Sequence, residues 1–250
     1  MESPLIFGVD DYLLIIALGF ASSIISSSFG LLGGASLLLG LSFFYDFPTA
    51  MFLHGVIQLS SALSRVIVFK SHLKPKLIFK YFIGVALATM VISMFIGKIT
   101  SEKNYILLSV LIVSSVHFDW SLVLGKIRDK YRFVFVGSIA GFLGPIVGVV
   151  GPIITPVFLK TNLSKEEFVV NKTTCQSFVH ISKVVLFYPL VDLQLNSHSG
   201  IWFSVLILAM FLAHVMGRKF LSHISKDNFE KAVKAILYLI AITFVFKAFL

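Results

Sequence analysis

Apolar runs separated by short polar stretches occupy almost the whole chain. They fall at 12–29, 34–44, 48–69, 77–97, 105–124, 133–150, 152–159, 168–190, 201–216 and 229–249. Most are close to the ~20 residues that a helix needs to cross ~30 Å of hydrocarbon, so the pattern predicts an all-α polytopic membrane protein. The runs at 34–44 and 152–159 are too short to cross alone, and both follow glycine-rich breaks.

Composition removes the competing classes. The 250 residues are 57% hydrophobic and 13% charged, whereas a soluble globule carries about 25% charged residues. There is no room for a separate soluble catalytic domain. The single cysteine, Cys175, excludes an intrachain disulfide and a cysteine-based metal cluster. A net charge of +9 would suggest nucleic acid in a soluble protein. Here the basic residues lie between apolar runs, where they orient the chain in a bilayer, so the expected surroundings are lipid and not nucleic acid. Residues 1–11 hold Glu2, Asp10 and Asp11 and no Lys or Arg. The basic region of a cleavable signal is missing, and the first run is expected to be retained.

Sliding the sequence on itself by 118 residues superposes the two breaks, Gly30-Leu31-Leu32-Gly33-Gly34 on Gly148-Val149-Val150-Gly151-Pro152. Without a gap, Gln58 then meets Gln176, Ser64 meets Ser182, Arg65 meets Lys183 and Phe69 meets Phe187. Coincident breaks followed by aligned polar positions predict an internal duplication. The first repeat is 1–124, with a re-entrant or broken hairpin at 12–44 and helices at 48–69, 77–97 and 105–124. The second is 125–250, with a hairpin at 131–160 and helices at 165–190, 200–216 and 229–249.

Charge then bears on orientation, because cytoplasmic loops collect Lys and Arg. Lys70, Lys74, Lys76 and Lys80, then Lys126, Arg128, Lys130 and Arg132, then Arg218, Lys219 and Lys226 mark three inside loops, while 191–199 has neither residue type. If each hairpin enters and returns on one side, all these assignments hold and the repeats are inverted. If each hairpin counts as one crossing, the repeats are parallel and the loop at 217–228 falls outside. The inverted reading is preferred, with both termini outside.

Breaks at membrane depth expose unpaired backbone groups, tolerated only where protein or a water-filled cavity satisfies them. The short helices that follow would aim N-terminal N–H groups, carrying roughly half a positive charge, at a common site, which favours an anion. Glycines of this kind also serve close helix packing, so that alternative stays open. On 48–69, His54, Gln58, Ser61 and Arg65 fall on one helical face; on 165–190, Lys172, Gln176, His180 and Lys183 do the same. Gln58 and Gln176 each lie about 15 Å into a 30 Å core. Arg65, Lys172 and Lys183 can also snorkel to the nearer surface, and His54 and His180 are either packing residues or titrating groups. The candidate substrate-binding set is Gly30, Gly33, Gly34, Ser36, His54, Gln58, Gly148, Gly151, Thr155, Lys172, Thr173, Gln176 and His180.

No Asp or Glu lies deep in a run, since Asp46, Asp119, Glu166, Glu167 and Asp192 all sit near ends, so an acidic cation pathway is not expected. Phosphate-loop, zinc-protease and nucleophile-elbow motifs are absent, and no cofactor, metal or enzymatic activity is expected.

The two glycine-rich breaks, each followed by a short apolar helix, together with the chain length and basic central loop, resemble the TauE/SafE sulfite exporter family over about residues 18–217. That family's pattern is Gly-x-Gly-Gly-Gly with a proline a few residues on. Leu32 replaces the middle glycine of the first copy, whose proline is missing; Val150 and Pro152 replace glycines in the second, while Pro156 matches. The resemblance implies a multi-pass protein of the bacterial inner membrane that exports a small anion, sulfite or a sulfonate, with some members handling carboxylates. An anion channel, a membrane enzyme and an accessory subunit remain as alternatives, and self-association is left open.

Overall fold

The computed structural model describes residues 7–29, 32–98, 103–118, 127–159, 161–191, 199–221 and 226–249. Among them the chain forms ten α-helices and no strand: α1 Val9–Phe29, α2 Leu32–Ser42, α3 Phe47–Phe69, α4 Pro75–Ser93, α5 Asn104–His117, α6 Asp129–Val147, α7 Gly151–Leu159, α8 Lys165–Phe187, α9 Ser199–Leu221 and α10 Lys226–Lys247. Within the described residues, Val9–Ser26, Phe47–Ile67, Pro75–Ser93, Lys130–Val147 and Gly200–Gly217 are long and apolar enough to cross a membrane.

Local chemistry sets the helix ends. Asp46 caps α3 by accepting from the Thr49 N–H at 3.3 Å, with Pro48 in the first turn, where its missing N–H is not needed. Ser164 and Glu167 form a reciprocal capping box on α8. Gly148 ends α6 with φ +80°, a conformation that L side chains rarely adopt. The expected run at 105–124 is longer than α5, which stops at His117 because Phe118 turns to extended backbone; 119–126 lie outside the described residues. The 77–97 and 165–190 segments likewise close in short 3-10 turns, at Ile96–Lys98 and Tyr188–Leu190. The short helices begin slightly earlier than expected, at Leu32 and Gly151, so Gly33 and Gly34 lie inside the first turn of α2.

Two antiparallel hairpins flank the centre. In α1–α2, Gly33 lies against Ser22 and Ser26 while Gly40 lies against Leu18, and Tyr45 just past α2 donates to Asp11 at 3.2 Å. In α6–α7, Phe158 near the end of α7 meets Phe133 at the start of α6 with ring centroids 5.2 Å apart. The end of each short helix therefore lies beside the start of its hairpin.

The middle of the molecule is the α3–α8 pair, which runs antiparallel: His54 meets Lys183, and the turn after α3 meets the start of α8, where Asn171 accepts from the Lys74 N–H at 2.6 Å and donates to the His72 carbonyl at 3.0 Å. Contacts recur in matched sets around this pair. α1 lies along α9 and α6 lies along α4, each pair parallel, as Tyr12–Trp202 with Ser23–Met210 and Tyr81–Gly137 with Val85–Gly141 attest. α5 and α10 run antiparallel, with Tyr105 stacked on Phe244 and Ser109 donating to the Ala241 carbonyl at 2.9 Å. Glycines permit the closest approach: a Cβ on Gly84 would lie 2.0 Å from the Val134 carbonyl oxygen, and one on Gly137 2.2 Å from that of Tyr81. Without a solvent-driven force between helices in lipid, such backbone proximity supplies dispersion contacts.

The two ends differ in charge. The turn holding Lys70, Lys74 and Lys76 shares one end with the starts of α6 and α8, which carry Lys130 and Lys165. Asp10, Asp11 and Asp46 occupy the other, together with the fewer lysines Lys98, Lys103 and Lys247. At the basic end Lys74 pairs with Glu167 at 2.6 Å, and the hydrogen bond from Lys74 holds the Glu167 carboxyl below its ordinary range.

Candidate functional site

α3 and α8 carry buried polar side chains at helical spacing, and the antiparallel register turns both stripes toward each other. Between them lies a cavity of about 410 Å³, lined by residues that include Gly34 of α2, Gly148 to Gly151 of the second break, and His214 of α9. The lining stretches from the two breaks to Phe168 in the first turn of α8. Beyond the breaks the path is blocked by side chains. Lys183, fully buried, donates to the Gly148 carbonyl at 3.0 Å and to Nδ1 of His54. His54 Nε2 lies 3.0 Å from the Gly34 carbonyl oxygen. A carbonyl only accepts, so Nε2 carries the ring hydrogen and Nδ1 is left to accept from the lysine. The Gly148 carbonyl, just past the last turn of α6, thereby gains a donor, which meets the demand that exposed backbone makes at such depth, while the Gly34 carbonyl, inside α2, takes His54 as an additional donor.

The charge of the lining is one-sided. Arg65, Lys172, His54, His180 and His214 face the cavity, and no Asp or Glu is among the described lining residues. Nε of Arg65 and Nδ1 of His180 are buried with no hydrogen-bond partner among the described residues, although Nη2 of Arg65 donates to Ser61 Oγ at 3.3 Å. Buried donors without partners cost about 1–3 kcal/mol each, and a bound anion would recover that at the arginine. The Lys172 ammonium lies 5.7 Å from the centroid of the Phe168 ring, a cation–π distance. Gln58 and Gln176 sit between the breaks and the Arg65–Lys172 end and can offer amide N–H donors.

Of the residues expected from sequence, Gly34, His54, Gln58, Gly148, Gly151, Lys172, Thr173, Gln176 and His180 line this cavity. Gly33 does not: a Cβ there would lie 2.3 Å from that of Ser26, so its smallness serves the packing of α2 on α1. The hydroxyls of Ser36 and Thr155 are turned back onto their own helices, to the Leu32 carbonyl at 3.0 Å and the Gly151 carbonyl at 2.6 Å. Gly30 lies outside the described residues.

A family model matches nearly the whole chain: sulfite exporter TauE/SafE, over residues 14–244. The chain belongs to the TauE/SafE sulfite exporter family. Among curated proteins and among solved structures nothing matches it. Membership makes this helical assembly a transport protein of a membrane-embedded family, in keeping with the five apolar helices.

For a TauE/SafE member the residues missed by the sequence reading are informative. Arg65 and Lys183 lie on the two polar stripes but outside the candidate set, yet one lines the cavity and the other closes it. Their coincidence under the 118-residue offset was the available signal. His214, with Nε2 2.8 Å from Ser61 Oγ, gave none: a lone histidine in an apolar run has no partner pattern to mark it.

Proposed function

We propose that the protein exports a small oxyanion, sulfite or an organosulfonate, by alternating access through the cavity between α3 and α8. The observation that carries this reading is the lining itself: a guanidinium, an ammonium, three imidazoles and two primary amides without a described acidic partner. Such a set offers many donors and a positive field to a compact anion with several acceptor oxygens. A carboxylate meets the same donors with fewer oxygens and is the second choice of substrate. A continuously open anion channel is disfavoured because Lys183 and His54 tie the two breaks together across the path.

Inverted repeats suit this mechanism, since they let one set of contacts open as its counterpart closes. The antiparallel α3–α8 and α5–α10 pairs, and the match of α1–α9 with α6–α4, support that relation between residues 1–124 and 125–250. At 11 and 9 residues, α2 and α7 are too short to cross ~30 Å, which supports re-entrant hairpins. The lysine-rich end is the cytoplasmic one by the positive-inside rule, in a bacterial inner membrane. An anion leaving a negative interior gains about 2.3 kcal/mol per charge per 100 mV, so export by this protein is electrogenic and needs no coupled ion.

The test is purified protein in proteoliposomes loaded with radiolabelled sulfite, under a valinomycin-imposed potassium potential and no pH gradient. Saturable efflux that accelerates when the destination is positive is expected. Efflux equal to that of protein-free liposomes overturns the substrate assignment, and efflux that follows a pH gradient but ignores the potential overturns the electrogenic mechanism.

A further inference from the structure

The antiparallel helices α3 and α8 present two opposed pairs of side chains on one face. His54 meets Lys183 at one level; Arg65 and Lys172 line the cavity at the other. The two levels are in equal register, because eleven residues separate 54 from 65 and eleven separate 172 from 183. Eleven residues are just over three helical turns, so both pairs share a face and lie about 16 Å apart along it. Under the 118-residue offset the pairs are also counterparts, Arg65 of Lys183 and Lys172 of His54.

Their chemistry differs in one respect. An imidazole nitrogen accepts a hydrogen bond, so His54 and Lys183 close on each other with nothing between them, and the cavity ends there. Guanidinium and ammonium groups have no acceptor, and at close range in a low-dielectric setting they repel. Accordingly the Arg65–Lys172 level is part of the open cavity, with Nε of Arg65 lacking any partner among the described residues.

We infer that an oxyanion bridging Arg65 and Lys172 is what allows this end of the cavity to close, so that the empty protein stays open there while the opposite end closes unaided. The bridging anion needs at least two oxygens on one head group, one for the guanidinium and one for the ammonium. This rests on the reading of the cavity as an oxyanion path, and it adds a resting orientation to it. The loaded protein closes at Arg65–Lys172 and opens at His54–Lys183; once the anion has left, repulsion between the two cations and re-formation of the histidine–lysine contact return the empty protein to its starting state. The resting orientation of the empty carrier is thereby set by one difference between counterpart residues, histidine against lysine, while the electrochemical gradient sets the direction of net flux.

The experiment uses Val169→Cys, whose side chain lines the cavity near Lys172, and follows its labelling by a neutral maleimide in detergent; the native Cys175 is buried and gives little background. Without any anion, V169C is expected to label rapidly, and V169C carrying Lys172→His, or in a second variant Lys172→Gln, about tenfold more slowly or less, because the pair then closes unaided. Saturating sulfite should slow V169C to a similar degree. If the anion-free double variants label as fast as V169C, the inference is overturned whatever the substrate. If they are slow while sulfite neither protects V169C nor stabilises the wild type thermally, the closure stands and sulfite as substrate falls. If sulfite stabilises the wild type but leaves V169C labelling unchanged, the bridge is overturned and the proposed function survives.

Discussion

The hairpins α1–α2 and α6–α7 answer the same physical problem, a chain that stops and turns back at depth, with different parts. In the first, two adjacent glycines sit within the first turn of α2 and divide the work: Gly33 is pressed against α1, whereas a Cβ on Gly34 would meet only ordinary contacts, 3.5 Å from Gln58 Nε2 and 3.6 Å from His54 Nε2. In the second, Gly148 combines a positive φ with crowding, since a Cβ there would lie 2.4 Å from Leu38 of the opposite hairpin. The carbonyls are served differently too, Gly34 by a histidine of α3 and Gly148 by a lysine of α8. What repeats is a side-chain donor from the central pair beside each glycine, needed by the Gly148 carbonyl past the end of α6 and additional at Gly34, whose carbonyl lies inside α2.

The largest effect that would break this comparison is expected from Gly148→Ala. Backbone strain and overpacking together cost roughly 2–5 kcal/mol, and thermal unfolding in detergent should show a large drop in Tm. A smaller loss, about 1–3 kcal/mol, is expected for Gly33→Ala, because Ser22 and Ser26 must move away from α2. Replacing Gln58 or Gln176 by Leu sharpens the comparison at the cavity, where each should lower sulfite affinity by about 1–2 kcal/mol, or roughly five- to thirtyfold. Unchanged affinity in both, read by calorimetry on folded protein, would remove the amides from the binding site. Gly34→Ala should carry the opposite sign to its neighbour: about 0.5–1 kcal/mol more stable, since a helical glycine is replaced without a clash. Equal losses at 33 and 34 would refute the division of labour.

The smallest effect is at the surface, at the Lys74–Glu167 pair. Because the lysine lowers the folded-state pKa of Glu167, its stabilisation is present above the glutamate's unfolded value and is lost as pH falls through the folded one. The difference in Tm between wild type and Glu167→Gln should therefore be small near neutrality and vanish in acid; a difference that grows in acid would contradict the pairing.

Much of this was legible in the chain. Apolar run length located the helices, glycine clusters located both breaks, and i, i+3, i+4 spacing put His54 and Gln58 on one face and Lys172, Gln176 and His180 on another. The hydroxyls of Ser36 and Thr155 turn back along their own helices because a hydroxyl in a helix can satisfy itself on the carbonyl one turn earlier, a local alternative that no spacing rule reveals. Lys183 has two readings from sequence, since a long cation near a helix end has a surface within reach as well as a place on the polar face, and packing against His54 and Gly148 selects the second.

Hydropathy and charge along the sequence by themselves determined that this is a helical membrane protein with two interrupted helices and a cationic interior, because the cost of placing polar groups in hydrocarbon is paid residue by residue and leaves its mark at every position. Which cation faces the cavity and which seals it was decided only by tertiary structure. Opposed side chains come together through the antiparallel register of α3 and α8, and that register depends on contacts between residues about a hundred positions apart or more: Asn171 on the turn after α3, and Lys183 on His54.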